Sequence, residues 1–437
     1  MDTRSPSLHR IVVVGGGAGG LELATRLGDR LGRRGRARVT LVDRSRTHLW
    51  KPLLHEVAAG TMDIHEHQLD YLAQASWHGF TYTLGALAGL DRTRREIVVG
   101  QSLDDSGGEI LPERPLPYDS LVIAIGSESN DFGTPGVREH AFTIDTKAQA
   151  NLFHRRLVNA CFRANSEAAG RVIHIAIVGA GATGVELAAE LHNAVRVLAA
   201  YGLDHFDPAR QIRIAVLEAG PRILPGLPEY IATQTSETLT RLGVEVLVGD
   251  RVVAVDDANV HTASGRAVSA DLTVWAAGIR CSDVLKDLDG LESNRLNQLV
   301  VGPTLQTTRD PAIFVIGDCA AARWDDKRGV PPRAQAAHQE ASVVARSLER
   351  RLAGKPALDF RYRDFGSLVS LGACHTVGTL MGFTTRGAVN LEGMLAKLFY
   401  LSLYRMHIWS LHGFWRMAFD TLASLIRRQT QPKVKLH

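Results

Sequence analysis

Residues 11–23 read IVVVGGGAGGLEL. A β-branched run enters Gly15-x-Gly17-x-x-Gly20, and a helical pattern with Glu22, Leu23, Ala24 and Leu27 leaves it. A strand, a glycine turn and a helix in this order are the setting in which the motif binds a dinucleotide. The first glycine permits the tight turn, the second lets the backbone approach a pyrophosphate, and the third lets helix pack on strand. The helix N-terminal N–H groups, around Ala18 and Gly19, then face the phosphates. A second strand over residues 38–42 ends at Asp43, 23 residues after Gly20, where a carboxylate can accept both hydroxyls of a ribose.

The same unit recurs at residues 175–187 as IAIVGAGATGVEL, with Gly179, Gly181 and Gly184; its second strand, Ile212 to Leu217, ends at Glu218. The likeness extends to Asp119-Ser-Leu-Val-Ile-Ala124-Ile-Gly126 and Asp271-Leu-Thr-Val-Trp-Ala276-Ala277-Gly278, strands that run into small-residue turns. A bulky side chain in those turns would collide with a dinucleotide. Two copies imply two dinucleotide sites. The competing reading, one working copy and one decayed duplicate, is disfavoured because both copies keep their glycines and acid.

A third landmark, Ile313-Phe-Val-Ile-Gly317-Asp318, is a buried-strand pattern ending in Gly-Asp without a glycine-rich helix start. In flavoproteins with two dinucleotides this position brings an Asp to the ribityl chain and pyrophosphate of FAD. The expected fold class is therefore α/β, with an FAD domain interrupted by an NADH domain, both Rossmann-like. The FAD domain spans residues 1–150 and 291–375, the NADH domain 151–290, and a C-terminal amphipathic helical region 376–437. The acid Glu218 lies where NADPH carries its 2′-phosphate, so NADH is the expected donor, although Arg222 could offset the repulsion.

After Asp318, Pro331 and Pro332 are expected to open an alanine-rich helix. Its N-terminus, with Ala334 and Gln335 following the prolines, would place partial positive charge at the electron-rich edge of a reduced flavin. Gln335 and Gln339 share one face of it. Glu186 is placed in the first turn of the second copy's helix, to hold the nicotinamide carboxamide or limit approach to the flavin. Glu22 occupies the equivalent place, so helix-start electrostatics competes with that role. The histidines at 48, 55, 65 and 67 lack the spacing of a metal site, and no metal is expected. Cys161, Cys281, Cys319 and Cys374 are too scattered for a disulfide framework or a CxxC pair, and Cys319 reads as a buried structural thiol.

At 437 residues the chain suits two or three domains. Its net charge of +4 is unevenly placed. Residues 391–437 hold seven Lys/Arg (Lys397, Arg405, Arg416, Arg427, Arg428, Lys433, Lys435) against Glu392 and Asp420, a balance of +5. The first 390 residues therefore sum to −1. A net charge of +4 is too mild to imply a nucleic-acid partner, and its placement directs attention to the tail. Between Leu395 and Ile426 the tail is rich in aromatics, and His412, Arg416, Asp420, Ser424 and Arg427 trace one polar stripe on a helix. An apolar face with cationic flanks describes a helix lying in a membrane interface, attracted by anionic lipid. A dimerisation helix or a core helix is the competing reading, and dimerisation could use part of the same surface. No signal peptide opens the chain and no uncharged run is long enough to span a bilayer, which predicts a peripheral protein on the cytoplasmic side.

With these stretches in view, the chain resembles the bacterial respiratory type II NADH dehydrogenases (type II NADH:quinone oxidoreductases). The specific matches are His48 to Gly60, Ile177 to Asn193, Val274 to Ile279, Val330 to Gln339 and Leu401 to His407. The resemblance implies non-covalent FAD, NADH as donor, a membrane quinone as acceptor, no proton pumping, and the cytoplasmic face of the inner membrane. It also implies that Lys51 and Pro52 border the flavin, that Glu186 lies at the nicotinamide, and that Gln335 and Gln339 line the quinone end. The expected chemistry is hydride transfer from NADH C4 to FAD N5, followed by two-electron, two-proton reduction of quinone. Protons for the quinol could come from water or from a relay involving His338 or Glu340. Sulfide:quinone oxidoreductases share the architecture but need reactive cysteines by the flavin. A disulfide reductase lacks its CxxC here, and an NADH-sensing flavoprotein with slow turnover is the rival from another class.

Overall fold

The computed structural model describes residues 8–104, 106–166, 170–203, 205–371, 376–381, 388–430 and 434. Of residues 65–66, 376–381, 388–401, 403, 425 and 427–430 it describes the backbone alone. In chain order the relevant strands are β1 (His9–Val14), β2 (Ala37–Asp43), β3 (Thr81–Leu84), β4 (Ser120–Ile123), β5 (Ala141–Phe142), β6 (Ile173–Val178) and β7 (Ile212–Glu218). They continue as β8 (Val244–Val248), β9 (Leu272–Trp275), β10 (Ile313–Val315), β11 (Gly366–Ser370), β12 (Thr376–Met381) and β13 (Ala388–Glu392). The helices are α1 (Ala18–Leu27), α2 (Leu54–Ala59), α3 (Tyr71–His78), α4 (Lys147–Ser166), α5 (Ala182–Ala200), α6 (Ala334–Leu352), α7 (Gly393–His412) and α8 (Phe414–Thr430).

Two compact units share these elements. The first takes Met1–Trp50, His67–Glu128 and Ile279–Arg363; the second takes Lys51–Glu66, Ser129–Gly278 and Asp364–His437. In the first, a parallel sheet runs in the order β10-β4-β1-β2-β3. In the second, the parallel order is β5-β9-β6-β7-β8. Both sheets put the strand before the glycine turn at the centre, the acid-bearing strand on one side and the small-residue strand on the other. Each also inserts a three-stranded antiparallel meander before the small-residue strand, at residues 87–117 and 252–269. The repeat read from the motifs thus extends to whole domains of α/β, Rossmann-like build. The copies differ at the edge beside the small-residue strand, which β10 fills from far downstream and β5 from just upstream. That difference records a chain that leaves the first unit and later returns to it.

Central strands buried on both faces read as unbroken apolar runs. Ile11, Val13, Ala176 and Ile177 have no exposed surface. In the first unit α6 packs along α1, where a Cβ at Gly19 would lie 3.0 Å from the Ala337 carbonyl oxygen. The third glycine of each motif makes the analogous approach to strand, treated below.

Antiparallel β11, β12 and β13 precede the two terminal helices. The expected single polar stripe is broken here. Gly413, in the left-handed region at φ +80°, separates α7 from α8 and puts His412 on the first of them. Asp420 and Ser424 of α8 turn to α7, where Arg405 Nη1 pairs with Asp420 at 2.7 Å and Nη2 donates to Ser424 at 2.8 Å. The opposite face of α8 carries Trp415, Phe419, Leu422 and Ile426, at intervals of four, three and four, all more than half exposed. The side chains of Lys397, Arg427 and Arg428, and residues Lys433 and Lys435, lie outside the described residues, as do Cys374 and the side chain of His65. Among the described residues no helix is long and apolar enough to cross a membrane.

One buried acid holds the first unit's helix to its sheet. Glu340 of α6 is almost fully buried, and its Oε2 accepts from Gly317 N at 2.5 Å. Burial raises its pKa to about 8 from an ordinary 4.5; the Gly317 N–H opposes this and the Asp318 charge reinforces it. A folded-state value above the unfolded one means that folding takes up a proton. That contribution is complete below the unfolded pKa and is lost as pH rises through the folded one. Thermal melts of Glu340→Gln should therefore hold their midpoint between about pH 6 and 9, while the wild-type midpoint falls by several degrees.

Candidate functional site

The first glycine turn has the three properties its spacing requires. Gly15 sits at φ +101°, and a Cβ there would lie 2.3 Å from the Ala124 carbonyl oxygen. At Gly20 a Cβ would meet the Gly15 carbonyl at 1.8 Å, so helix and turn can approach only without one. At Gly17 nothing lies within 4 Å of the added atom. An open flank over the second glycine, at the N-terminus of α1, fits a pyrophosphate of FAD. Asp43 closes the turn, with Oδ2 accepting from Gly16 N at 2.6 Å and Oδ1 from Ser45 N at 2.7 Å. Burial lifts this carboxyl above its usual range, and those two N–H groups pull it back.

The second turn repeats the arrangement. Gly179 is at φ +102°, with a Cβ 2.7 Å from Ala277; at Gly184 it would lie 2.0 Å from the Gly179 carbonyl; Gly181 is open. Glu218 Oε2 accepts from Ala180 N at 2.9 Å and Oε1 from Gly220 N at 2.8 Å. Both cradles are therefore intact, and the second fits NADH as the first fits FAD. Arg222, the residue that could offset Glu218, donates instead to the carbonyls of Leu224 (3.1 Å) and Pro225 (3.0 Å).

Around the first cradle the fold gathers residues from distant parts of the chain. The Gly16 carbonyl accepts from Tyr71 Oη at 2.8 Å and lies 2.8 Å from His48 Nδ1. Burial depresses the His48 pKa to about 4, so the ring is neutral and its Nδ1–H donates. Asp318 follows β10, and its Oδ2 accepts from Ser127 Oγ at 2.7 Å. Its carbonyl accepts from Gln298 Nε2 at 2.8 Å and faces Cys281 Sγ at 3.5 Å. Cys281 is therefore a spatial neighbour of Cys319, against the expectation from their spacing; burial and that neighbour push the Cys319 thiol up, which keeps it inert. Gly126 is at φ +73° with nothing within 4 Å of an added Cβ.

Helix α6 begins at Ala334, after an extended Arg333 (φ −142°). The two prolines thus precede the helix and do not open it, since a cap residue at that φ cannot be proline. Gln335 lies in the first turn. The Gln339 amide is engaged with the main chain of Arg363, accepting from its N at 3.0 Å and donating to its O at 2.9 Å. His338 Nδ1 faces the buried Glu22, which also pairs with Arg26 at 2.5 Å, and Glu340 is turned to Gly317.

In the second unit Glu186 is the fifth residue of α5, past the first turn where it was expected, so helix-start electrostatics does not account for it. It is 7% exposed, accepts from Ser370 N at 3.0 Å, and has His55 Nδ1 at 3.8 Å. Burial holds His55 near pKa 4, hence neutral. Lys51 and Pro52 are exposed, and Lys51 Nζ is 3.4 Å from Asp145. No group of three or more His, Cys, Asp or Glu among the described residues could hold a metal ion. Tyr71, Ser127, Gln298 and Ser370 carried no recognisable signal in the sequence, because each reaches its partner across many residues.

Comparison with known proteins agrees with this geometry. The pyridine nucleotide-disulphide oxidoreductase family matches residues 9–341. A type II NADH:quinone oxidoreductase of Haemophilus influenzae is 41% identical, covering 98% of this chain and 100% of its own. One from Staphylococcus aureus is 28% identical, covering 85% and 90%. Among solved structures, NDH2 from Plasmodium falciparum in complex with NADH shares the fold with a TM-score of 0.80. It is 19% identical and covers 98% of this chain and 100% of that one. Two intact dinucleotide cradles and a full-length relative at this identity place the chain in the pyridine nucleotide-disulphide oxidoreductase family, among the type II NADH:quinone oxidoreductases.

Proposed function

We propose that this protein oxidises NADH and reduces a membrane quinone, with FAD as its resident carrier and without proton pumping. The observation that carries this reading is the pair of intact cradles, each with an open second glycine and a strand-end acid closing its turn. When bound, FAD supplies the two-electron acceptance that NADH oxidation needs and the donation that quinone reduction needs. The chain's residues bind and orient. In the first unit Gly15, Gly17, Ala18, Gly19 and Gly20 hold the FAD pyrophosphate, Asp43 the adenosine ribose, and Asp318 the ribityl end. Ala124 and Gly126 leave room beside them. The N-terminus of α6, at Ala334 and Gln335, directs positive potential at the flavin. Gln335 lines the quinone end, and Gln339 shapes it by fixing the main chain at residue 363.

In the second unit Gly179, Gly181, Gly184, Ala277 and Gly278 hold NADH, with Glu218 on its adenosine ribose. Glu186 meets the nicotinamide, its carboxylate oriented by Ser370 N–H. His338, facing Glu22, and Glu340, accepting from Gly317 N, are the side chains through which a relay could bring protons to the quinone, with water as the other source. FAD belongs with the first compact unit and NADH with the second; the bounds expected from sequence, 1–150 with 291–375 and 151–290, differ from those units at residues 51–66, 129–150, 279–290 and 364–375. The exposed apolar face of α8, flanked by the basic tail of residues 391–437, lays the protein on anionic lipid at the cytoplasmic face of the inner membrane. A homodimer contact would compete for part of that face.

Three measurements test this. Purified FAD-loaded protein should turn over NADH only with a short-chain quinone present, and should favour NADH over NADPH. Flavin bleaching by NADH without quinone-dependent turnover would sink the reading in favour of a sensor. Because Arg222 is engaged elsewhere, Glu218→Gln should narrow the NADH/NADPH ratio of kcat/KM by about tenfold, through loss of carboxylate–phosphate repulsion. For the membrane, a double Trp415→Ala, Phe419→Ala variant should retain FAD yet partition less onto phosphatidylglycerol liposomes. Undiminished sedimentation with them would count against α8 as the docking face.

A further inference from the structure

One bulky residue in the second unit is held in a conformation that its own packing does not justify. Phe132 lies in the left-handed region at φ +51°, which an aromatic side chain adopts only under constraint. Its ring is 64% exposed. An isolated loop would gain by relaxing the backbone and tucking the ring away. Neighbouring bonds prevent this. Asn130 Oδ1 accepts from Phe132 N at 3.0 Å, and Asp131 Oδ1 accepts from Gly133 N at 3.0 Å. Asp131 Oδ2 is tied to Arg138 Nε at 2.6 Å, and the Asn130 carbonyl accepts from Trp275 Nε1 at 2.8 Å. Trp275 is the last residue of β9, so the loop is pinned to the end of that strand.

Pinning sets the ring against the small-residue turn. A Cβ at Gly278 would lie 2.4 Å from Phe132 Cζ, so the glycine makes room for the ring. Sequence reasoning assigned that glycine to clearance for the dinucleotide alone. Its counterpart in the first copy, Gly126, has nothing within 4 Å, so the ring is an addition specific to the second groove. Sheet order decides which half of the ligand it meets. Glu218 ends β7 on one side of β6, and β9 lies on the other. A dinucleotide with its adenosine ribose at Glu218 and its pyrophosphate over Gly181 extends its second nucleoside across the end of β9.

Resting on the function proposed above, we infer that the Phe132 ring is a wall of the nicotinamide-riboside half of the groove, packing against that nucleoside and setting the affinity for NADH. Phe132 is thus a positioning residue of the donor site. Contact with the nucleoside covers the exposed ring, and the hydrogen-bonded loop holds it in place beforehand.

The test uses FAD-loaded protein with NAD⁺ and ADP as probes, since ADP lacks the nicotinamide riboside. Phe132→Ala should raise the NAD⁺ Kd and the NADH KM by roughly tenfold, the scale of a lost aromatic contact. The ADP Kd and the quinone KM should stay unchanged, and Phe132→Leu should recover part of the loss. Phe132→Gly relieves the left-handed backbone, so it should weaken NAD⁺ similarly without lowering the melting temperature. An unchanged NAD⁺ Kd in Phe132→Ala, or equal weakening of ADP and NAD⁺, would overturn the inference. Absence of quinone-dependent turnover in the wild type would instead overturn the proposed function, which the NAD⁺/ADP comparison reads separately.

Discussion

Each dinucleotide cradle depends on one hydrogen bond: a backbone N–H of the glycine turn donated to the carboxylate at the end of the neighbouring strand. Gly16 N gives it to Asp43 and Ala180 N to Glu218. Without that bond the turn, which already places Gly15 and Gly179 at φ near +100°, would have no anchor across the sheet. With it, the second glycine is held open and the helix N-terminus is aimed along the strand ends. A buried carboxylate is costly unless hydrogen-bonded, so turn and acid stabilise one another. The site's charge and its shape come from the same contact.

The two copies share this contact and diverge in what surrounds it. In the first, the turn is clamped from outside by Tyr71 and the neutral His48, both on the Gly16 carbonyl. In the second, the equivalent Ala180 carbonyl accepts from the backbone N–H of Leu224 at 2.8 Å, and the specificity elements gather around that loop. Arg222 is drawn off by loop carbonyls, and Phe132 is forced over Gly278.

Much of the fold was legible because local spacing is enough to specify a Rossmann-like unit. Gly15-x-Gly17-x-x-Gly20 with Asp43, and Gly179 to Glu218, predicted both cradles and the role of each glycine. Gly278 was read only in part, since its clearance for Phe132 is a long-range contact. Reading the tail as one stripe failed at Gly413, because periodicity counts residues and a left-handed glycine reverses the chain within the count. Arg405, placed among apolar neighbours in sequence, proved to be the partner of Asp420 and Ser424. Pro331 and Pro332 misled for a similar reason: the cap needed an extended residue, and Arg333 supplied it.

The sequence alone therefore determined what depends on neighbours along the chain: the strands, the turns, the acids that end them and the basic excess of the last residues. Tertiary structure decided what depends on groups far apart in the chain. It set the protonation of Glu340 and His48, the engagement of Gln339 with residue 363, the proximity of Cys281 to Asp318 and the posture of Phe132. The physical reason is that hydrogen-bond partners and burial are properties of a place in space. A motif records a place only when the chain reaches it within a few residues.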